Sequence, residues 1–202
     1  ALAELVERHN LWVVSDELHC DLLLDEGAQH RPLAAAFPQL AKRTITLWAP
    51  SKTFNQAGLT SACAVIPDPA LRERFAAATK GLLPDGNVLG LVAAEAAYRH
   101  GEPWRQELLS VLREHRETLQ ARVAAWPGVR WSAPESTYLA WLDMREAGLG
   151  DAPYKTLLKE AGVALSDGAA FGCPGFVRLN FGTTASQLEA ALSRMDSLLK
   201  RD

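Results

Sequence analysis

The sequence predicts an α/β fold: a mainly parallel sheet with helices over residues 1–101, then a smaller α+β domain over 102–202. Three observations lead there. Short β-prone apolar runs alternate with longer segments whose apolar residues recur at helical spacing. Gly101-Glu102-Pro103 interrupts that alternation, and proline suits the first turn of a new helix. Apolar residues make up 48% of the chain, enough to bury a core in one large domain or two small ones.

Residues 1–9 read as a helix with Leu2, Leu5 and Val6 on its apolar face. The chain opens on Ala1 inside this pattern, with no cap residue before it, and is therefore expected to be part of a longer polypeptide. Residues 11–14 (Leu-Trp-Val-Val) form a buried parallel strand that runs into Ser15-Asp16-Glu17. A second strand covers 43–48 and ends at Ala49-Pro50-Ser51-Lys52. A third covers 62–66 and is stopped by Pro67. Helices follow at about 70–80 and 88–99. The helix that Pro103 opens carries a stripe of Leu108, Leu112, Leu119 and Val123 and runs to Trp126-Pro127-Gly128. Strands at 129–131 and 137–142 come next. Asp151-Ala152-Pro153 starts a helix with Tyr154, Leu157, Leu158 and Ala161 inward and Gly162 as its C-cap. Strands at 163–165 and 176–181 precede a last helix. There Thr184 and Gln187 have capping-box spacing, and Leu188, Ala191, Leu192, Met195 and Leu199 form the stripe.

The 21 basic and 24 acidic residues leave a net charge of −3, too small to imply a nucleic-acid partner. No run of 18 apolar residues occurs, so no membrane helix is expected. Cys20, Cys63 and Cys173 are odd in number and far apart. They read as free thiols in a reducing cytoplasm.

Asp16 and Lys52 each stand at the C-terminal end of a predicted strand, the edge where open α/β sheets bind ligands. Such residues are also commonly just solvated. Asp16, His19, Cys20 and Asp21 mix oxygen, nitrogen and sulfur donors within six residues, but no second cluster completes a metal shell. Arg178 lies within an apolar strand and needs an anionic partner, either a ligand carboxylate or an acid of its own chain.

Four stretches carry a resemblance. They are Ser-Asp-Glu-Leu-His-Cys-Asp (15–21), Ala-Pro-Ser-Lys-Thr-Phe-Asn-Gln-Ala-Gly-Leu (49–59), Ser-Thr-Tyr-Leu-Ala-Trp-Leu-Asp (136–143) and Gly-Phe-Val-Arg-Leu-Asn-Phe-Gly (175–182). In this order and spacing the chain resembles the C-terminal half of the fold-type-I pyridoxal-phosphate (PLP) enzymes of the aminotransferase superfamily. It is most similar to their cystathionine β-lyase (C–S lyase) branch, the MalY/PatB type. The resemblance implies that residues 1–101 complete a large PLP-binding domain and 102–202 form the small domain. It implies that Lys52 carries the cofactor aldehyde and takes the Cα proton, and that Asp16, as a buried carboxylate, keeps the ring nitrogen protonated.

By the same resemblance His19 stands where most aminotransferases carry Tyr, facing the cofactor's phenolic oxygen; a structural histidine is the other reading. Ser51 is left to serve the phosphate, because Ala49 replaces the usual Ser. Thr60 replaces an Arg, as in the lyase branch. Arg178 takes the substrate α-carboxylate. The implied activity is β-elimination from L-cysteine S-conjugates to thiol, pyruvate and ammonia by a cytoplasmic homodimer. An aminotransferase on the same fold is the alternative, and a non-catalytic regulatory or interaction module is a third.

Overall fold

The computed structural model describes residues 1–83 and 86–200. They form two compact units: Ala1–Leu23 with Gly27–Gln106, and Leu24–Glu26 with Glu107–Asp202. Each contains helices and a sheet, so the α/β expectation holds.

The first unit holds α1 (Leu2–Arg8), β1 (Val13–Asp16), α2 (Leu33–Ala36), β2 (Thr44–Trp48), β3 (Cys63–Val65), α3 (Pro69–Thr79) and α4 (Val88–His100). The sheet order is β1-β2-β3. β1 runs parallel to β2, with Val13 opposite Thr44 and Asp16 opposite Leu47, while β3 runs antiparallel to β2. The parallel pair places the C-terminal ends of β1 and β2 at one edge of the sheet. Asp16 ends β1, and the 49–52 segment leaves β2 there.

Two details depart from the sequence reading. β1 begins two residues later than expected, so Leu11 and Trp12 precede it and stand exposed. On α1 the buried positions are Ala3 and Val6, packed with Leu40, while Leu2 and Leu5 face outward. Leu40 belongs to a tight 3₁₀ turn, Pro38–Arg43, that sequence periodicity did not reveal. Helix starts follow their caps. The Asp68 side chain accepts from the Leu71 N–H at 2.8 Å before α3, and Asn87 accepts from the Leu89 N–H at 3.0 Å before α4.

A parallel pair is ordinarily covered on both faces. Here Val14 is 63% exposed and Val65 52% exposed, on the two outer strands. The sheet of this unit therefore presents apolar side chains that its own helices do not cover.

The second unit holds most of α5 (Glu102–Val123), then β4 (Arg130–Trp131), β5 (Leu139–Asp143), α6 (Pro153–Thr156), β6 (Ser166–Asp167), β7 (Phe176–Asn180) and α7 (Ala185–Leu199). Its sheet is antiparallel in the order β4-β5-β7-β6. Ala140, Leu142, Val177 and Leu179 point to the buried face. Leu109, Leu112, Leu119 and Val123 of α5 and Leu188, Leu192, Met195 and Leu199 of α7 are buried with them. His115 joins the α5 stripe, although its type gave no such signal. Its Nδ1 donates to the Phe181 carbonyl at 3.0 Å.

The strand expected at 163–165 lies instead at Ser166–Asp167. After α6 the chain makes a π turn, Leu157–Ala161, and Gly162 turns it at φ 63°. The Val163 N–H donates back to the Leu157 carbonyl at 3.1 Å, so it is not available to a strand ladder. The same wider turn leaves Leu158 exposed. At the start of α7, Thr184 Oγ1 accepts from the Gln187 N–H, but the Gln187 side chain meets Thr183 Oγ1. The capping box is thus half formed.

Replacing Leu119 by Ala should destabilise the protein by about 2–5 kcal/mol, because a fully buried side chain leaves a cavity. Leu158→Ala, at an exposed site, should change stability by less than about 0.5 kcal/mol. Denaturant unfolding of both variants tests the assignment of faces.

Candidate active site

Beyond β1 the chain turns sharply, and a buried acid holds that turn. The Glu17 N–H donates to the Leu47 carbonyl of β2 at 3.0 Å. Its carboxylate, 7% exposed, accepts from Ser15 Oγ at 2.9 Å and from the Leu33 N–H at 2.9 Å, and meets His30 Nε2 at 2.7 Å. Burial pushes the Glu17 carboxyl up, but the bonds from His30, Leu33 and Ser15 outweigh it and hold the group below its ordinary range. Sequence reasoning passed over Glu17. Nothing in a single acid after a strand distinguishes a buried tie from a solvated charge.

Asp16, next to it, points the other way. It is exposed, and its Oδ1 accepts from the Leu18 N–H at 3.2 Å. The expectation of a buried carboxylate at this position is not met in the chain by itself. Alternation along an edge strand sends Asp16 and Glu17 to opposite sides, and of the two only Glu17 is buried. Asp16 has no cationic partner among the described residues.

Lys52 lies in the turn after β2 and is likewise exposed, with no ion pair among the described residues. The turn itself is rigidly held. The Phe54 N–H donates to the Pro50 carbonyl at 2.8 Å and the Gln56 N–H to the Ser51 carbonyl at 3.1 Å. Ala49 and Thr53 are buried, and Ser51 is half-buried. Asn55 and Thr60 both adopt left-handed backbone, at φ 53° and 48°, which is uncommon without glycine.

α4 clamps this turn through main-chain contact. A Cβ on Gly90 would lie 2.3 Å from the Leu59 carbonyl oxygen, so only glycine allows the approach. Gln56 Nε2 donates to the Ala93 carbonyl at 3.2 Å. Trp48 stacks on Tyr98 at 4.6 Å, and Phe54 meets Tyr98 edge-on at 5.7 Å. Burial, with Asp21 nearby, raises the Tyr98 hydroxyl well above its ordinary range, so it stays protonated.

His19 is half-buried in the turn after Asp16, and its carbonyl accepts from the Leu22 N–H at 3.0 Å. Asp16, His19, Cys20 and Asp21 contribute to no cluster of three or more metal-capable side chains among the described residues. Two cavities of this unit measure about 460 and 450 Å³. Cys20, His30, Phe54 and Tyr98 help line one, and Trp12, Val14, Asp16 and Phe37 the other. Neither is lined by Lys52, which is exposed.

Arg178 belongs to the second unit. It sits mid-strand on β7, half-buried, opposite Trp141 on β5 and Ser166 on β6. No carboxylate of the described residues pairs with it. The acid on the same strand face, Asp143, is taken by Arg145 through bonds of 2.9 and 2.8 Å. The internal-salt-bridge reading of Arg178 therefore has no support here.

A family model described as aminotransferase class I and II matches residues 1–195. The chain belongs to that family. It is 37% identical over 203 residues to "Cystathionine beta-lyase PatB" of Bacillus subtilis, covering 98% of this chain and 52% of that relative. It superposes on the crystal structure of OvoB with a TM-score of 0.94 and 44% identity, over 100% of this chain and 53% of that one. Cystalysin of Treponema denticola, solved with pyridoxal 5'-phosphate, matches with a TM-score of 0.89 and 30% identity, over 98% and 51%. The chain spans about half the length of the curated relatives it matches. The resemblance drawn from the four sequence stretches is thus upheld for the family and the fold.

Glu17→Gln should lower the melting temperature at pH 7. A depressed carboxyl pKa contributes stability above its ordinary range, and the contribution is lost as pH falls through the lowered value. The gap between parent and variant should therefore close as pH falls below the ordinary carboxylate range. Thermal melts across pH check it; a gap independent of pH would deny Glu17 its charged role.

Proposed function

We propose that this chain forms part of a PLP-dependent C–S β-lyase. The parent would cleave L-cysteine S-conjugates such as cystathionine to a thiol, pyruvate and ammonia. One observation carries the reading: a lysine and a carboxylate, neither with an ionic partner among the described residues, leave one edge of a sheet in a chain 37% identical to a cystathionine β-lyase. The donor set fits the cofactor: an amine for its aldehyde, a carboxylate for its ring nitrogen and a hydroxyl for its phosphate. When bound, PLP draws electrons away from the substrate Cα.

Each residue then has a task. Lys52 Nζ would hold the cofactor aldehyde and would be the group that takes the substrate Cα proton. Asp16 would keep the ring nitrogen protonated, since an opposite charge favours the pyridinium. Its present exposure calls for cover from the rest of a parent about twice as long. His19 would serve the cofactor's phenolic oxygen, and the Ser51 hydroxyl would donate to its phosphate. Arg178 binds the substrate α-carboxylate through two parallel N–H···O bonds. In the parent, residues 1–101 complete the large cofactor-binding domain and 102–202 form the small one. A cytoplasmic homodimer is the expected assembly.

The family description itself keeps an aminotransferase as second reading, because amino-group transfer would use the same Lys52, Asp16 and Arg178. His19 and Thr60, the residues of the lyase branch, favour elimination. Release of pyruvate from L-cystathionine without a keto-acid acceptor separates the two.

Borohydride reduction of the PLP-loaded parent should fix the cofactor to Lys52. Peptide sequencing reads the site, and label on another lysine would remove the assignment. The 202 residues alone, given stoichiometric PLP, should release no pyruvate above the protein-free rate, because Asp16 and Lys52 both face water. Robust turnover would mean that these residues already contain a complete site.

A further inference from the structure

We propose that Phe171 is a positioning residue for Arg178, fixing the plane of the guanidinium so that two of its N–H groups face one substrate carboxylate. The proposal rests on the reading of Arg178 as the carboxylate-binding residue.

The guanidinium carbon lies 4.7 Å from the centroid of the Phe171 ring. That is close enough for a cation–π contact. Its one hydrogen bond among the described residues, from Nη2 to Ser166 Oγ, is 3.5 Å long and too weak to hold the group. An arginine side chain that lacks a partner ordinarily samples many rotamers. Here the aromatic face supplies the restraint.

The ring is itself well fixed. Trp141, directly opposite Arg178 in the ladder, meets Phe171 edge-on at 5.7 Å and 90°. Trp141 in turn stacks on Phe176 at 5.5 Å. The short turn Gly168–Phe171 is capped by Asp167, whose carboxylate accepts from the Ala169 N–H at 3.0 Å. Gly168 has no room for a Cβ, which would sit 2.5 Å from the Cys173 carbonyl oxygen.

The choice of an aromatic partner has a chemical consequence. An acid beside Arg178 would orient it but occupy the in-plane N–H donors and cancel the charge. A ring instead attracts the cation while carrying no charge and no carboxylate oxygens of its own. The in-plane donors and the positive charge both remain for a ligand. Phe171 therefore orients the cation without neutralising it, and the planar ligand that matches the free edge is a carboxylate.

The test uses the complete parent enzyme with PLP. Steady-state kinetics with L-cystathionine are paired with calorimetric binding of L-alanine, which has the carboxylate but no leaving group. Phe171→Ala and Phe171→Leu should raise KM for L-cystathionine and Kd for L-alanine by about three- to tenfold, as expected for loss of a cation–π contact. kcat should stay within about twofold, because uniform substrate binding is what is lost. Phe171→Tyr, which keeps the ring, should stay close to the parent. Leu and Tyr retain bulk, so they decide the question if the Ala variant fails to fold. Parent-like values for Phe171→Leu would reduce Phe171 to apolar packing and overturn the proposal, as would a fall in kcat with KM unmoved. Arg178→Ala separates the two levels. If it weakens binding while the Phe171 variants do not, only the positioning role fails. If Arg178→Ala also binds as the parent does, the reading of Arg178 fails and takes this one with it.

Discussion

The turn after β1 depends on the Glu17 carboxylate. One buried group ties together three elements of chain: Ser15 within β1, His30 in the loop that follows, and the Leu33 N–H at the start of α2. Its own N–H is tied to Leu47 on β2. Leaving such an acid unsatisfied would be expensive, since a buried charge without partners costs several kcal/mol. Each of its bonds therefore reinforces the others. With Glu17 fixed inward, strand alternation fixes Asp16 outward, at the same edge where the Lys52 turn leaves β2. The placement of the candidate cofactor residues follows from a residue that has no part in the chemistry.

A division of charge runs through both units. Acids with structural duties are satisfied within the chain: Glu17 by His30, Asp143 by Arg145, and Asp196 by Arg122 and the Trp126 Nε1–H. Asp16, Lys52 and Arg178 have no ionic partner among the described residues. The distribution of these groups agrees with the roles proposed for them. The aromatic contact at Arg178 belongs to the same pattern, because it restrains a cation without spending it.

Much of this was legible in the sequence. Apolar stripes located α5 and α7, with Leu112, Leu119, Leu188 and Leu192 buried as their spacing required. Apolar β-prone runs located β2 and β7 to within a residue. Motif words singled out Lys52, Asp16 and Arg178 as candidates. What escaped was set by contacts between distant residues. The burial of Glu17 depends on His30 and Leu33, and periodicity carries no trace of that. His115 is buried because a carbonyl at Phe181 awaits its proton. Residues 163–165 look like a strand, but the Val163 N–H is taken by the π turn before it. Asp16 was expected to be buried. Among the described residues it is exposed.

The close approach of Gly90 to the Leu59 carbonyl bears on how such a protein can diverge. The turn that carries Lys52 is gripped through its backbone by that contact and by hydrogen bonds to the Pro50 and Ser51 carbonyls, with the Gln56 side chain on the Ala93 carbonyl beside them. Side chains such as those at 51, 52 and 60 contribute little to holding it. Mutation can then exchange the groups around a cofactor without loosening the scaffold that presents them. A lineage with this architecture can explore new reactions at small cost in folding, provided position 90 stays glycine.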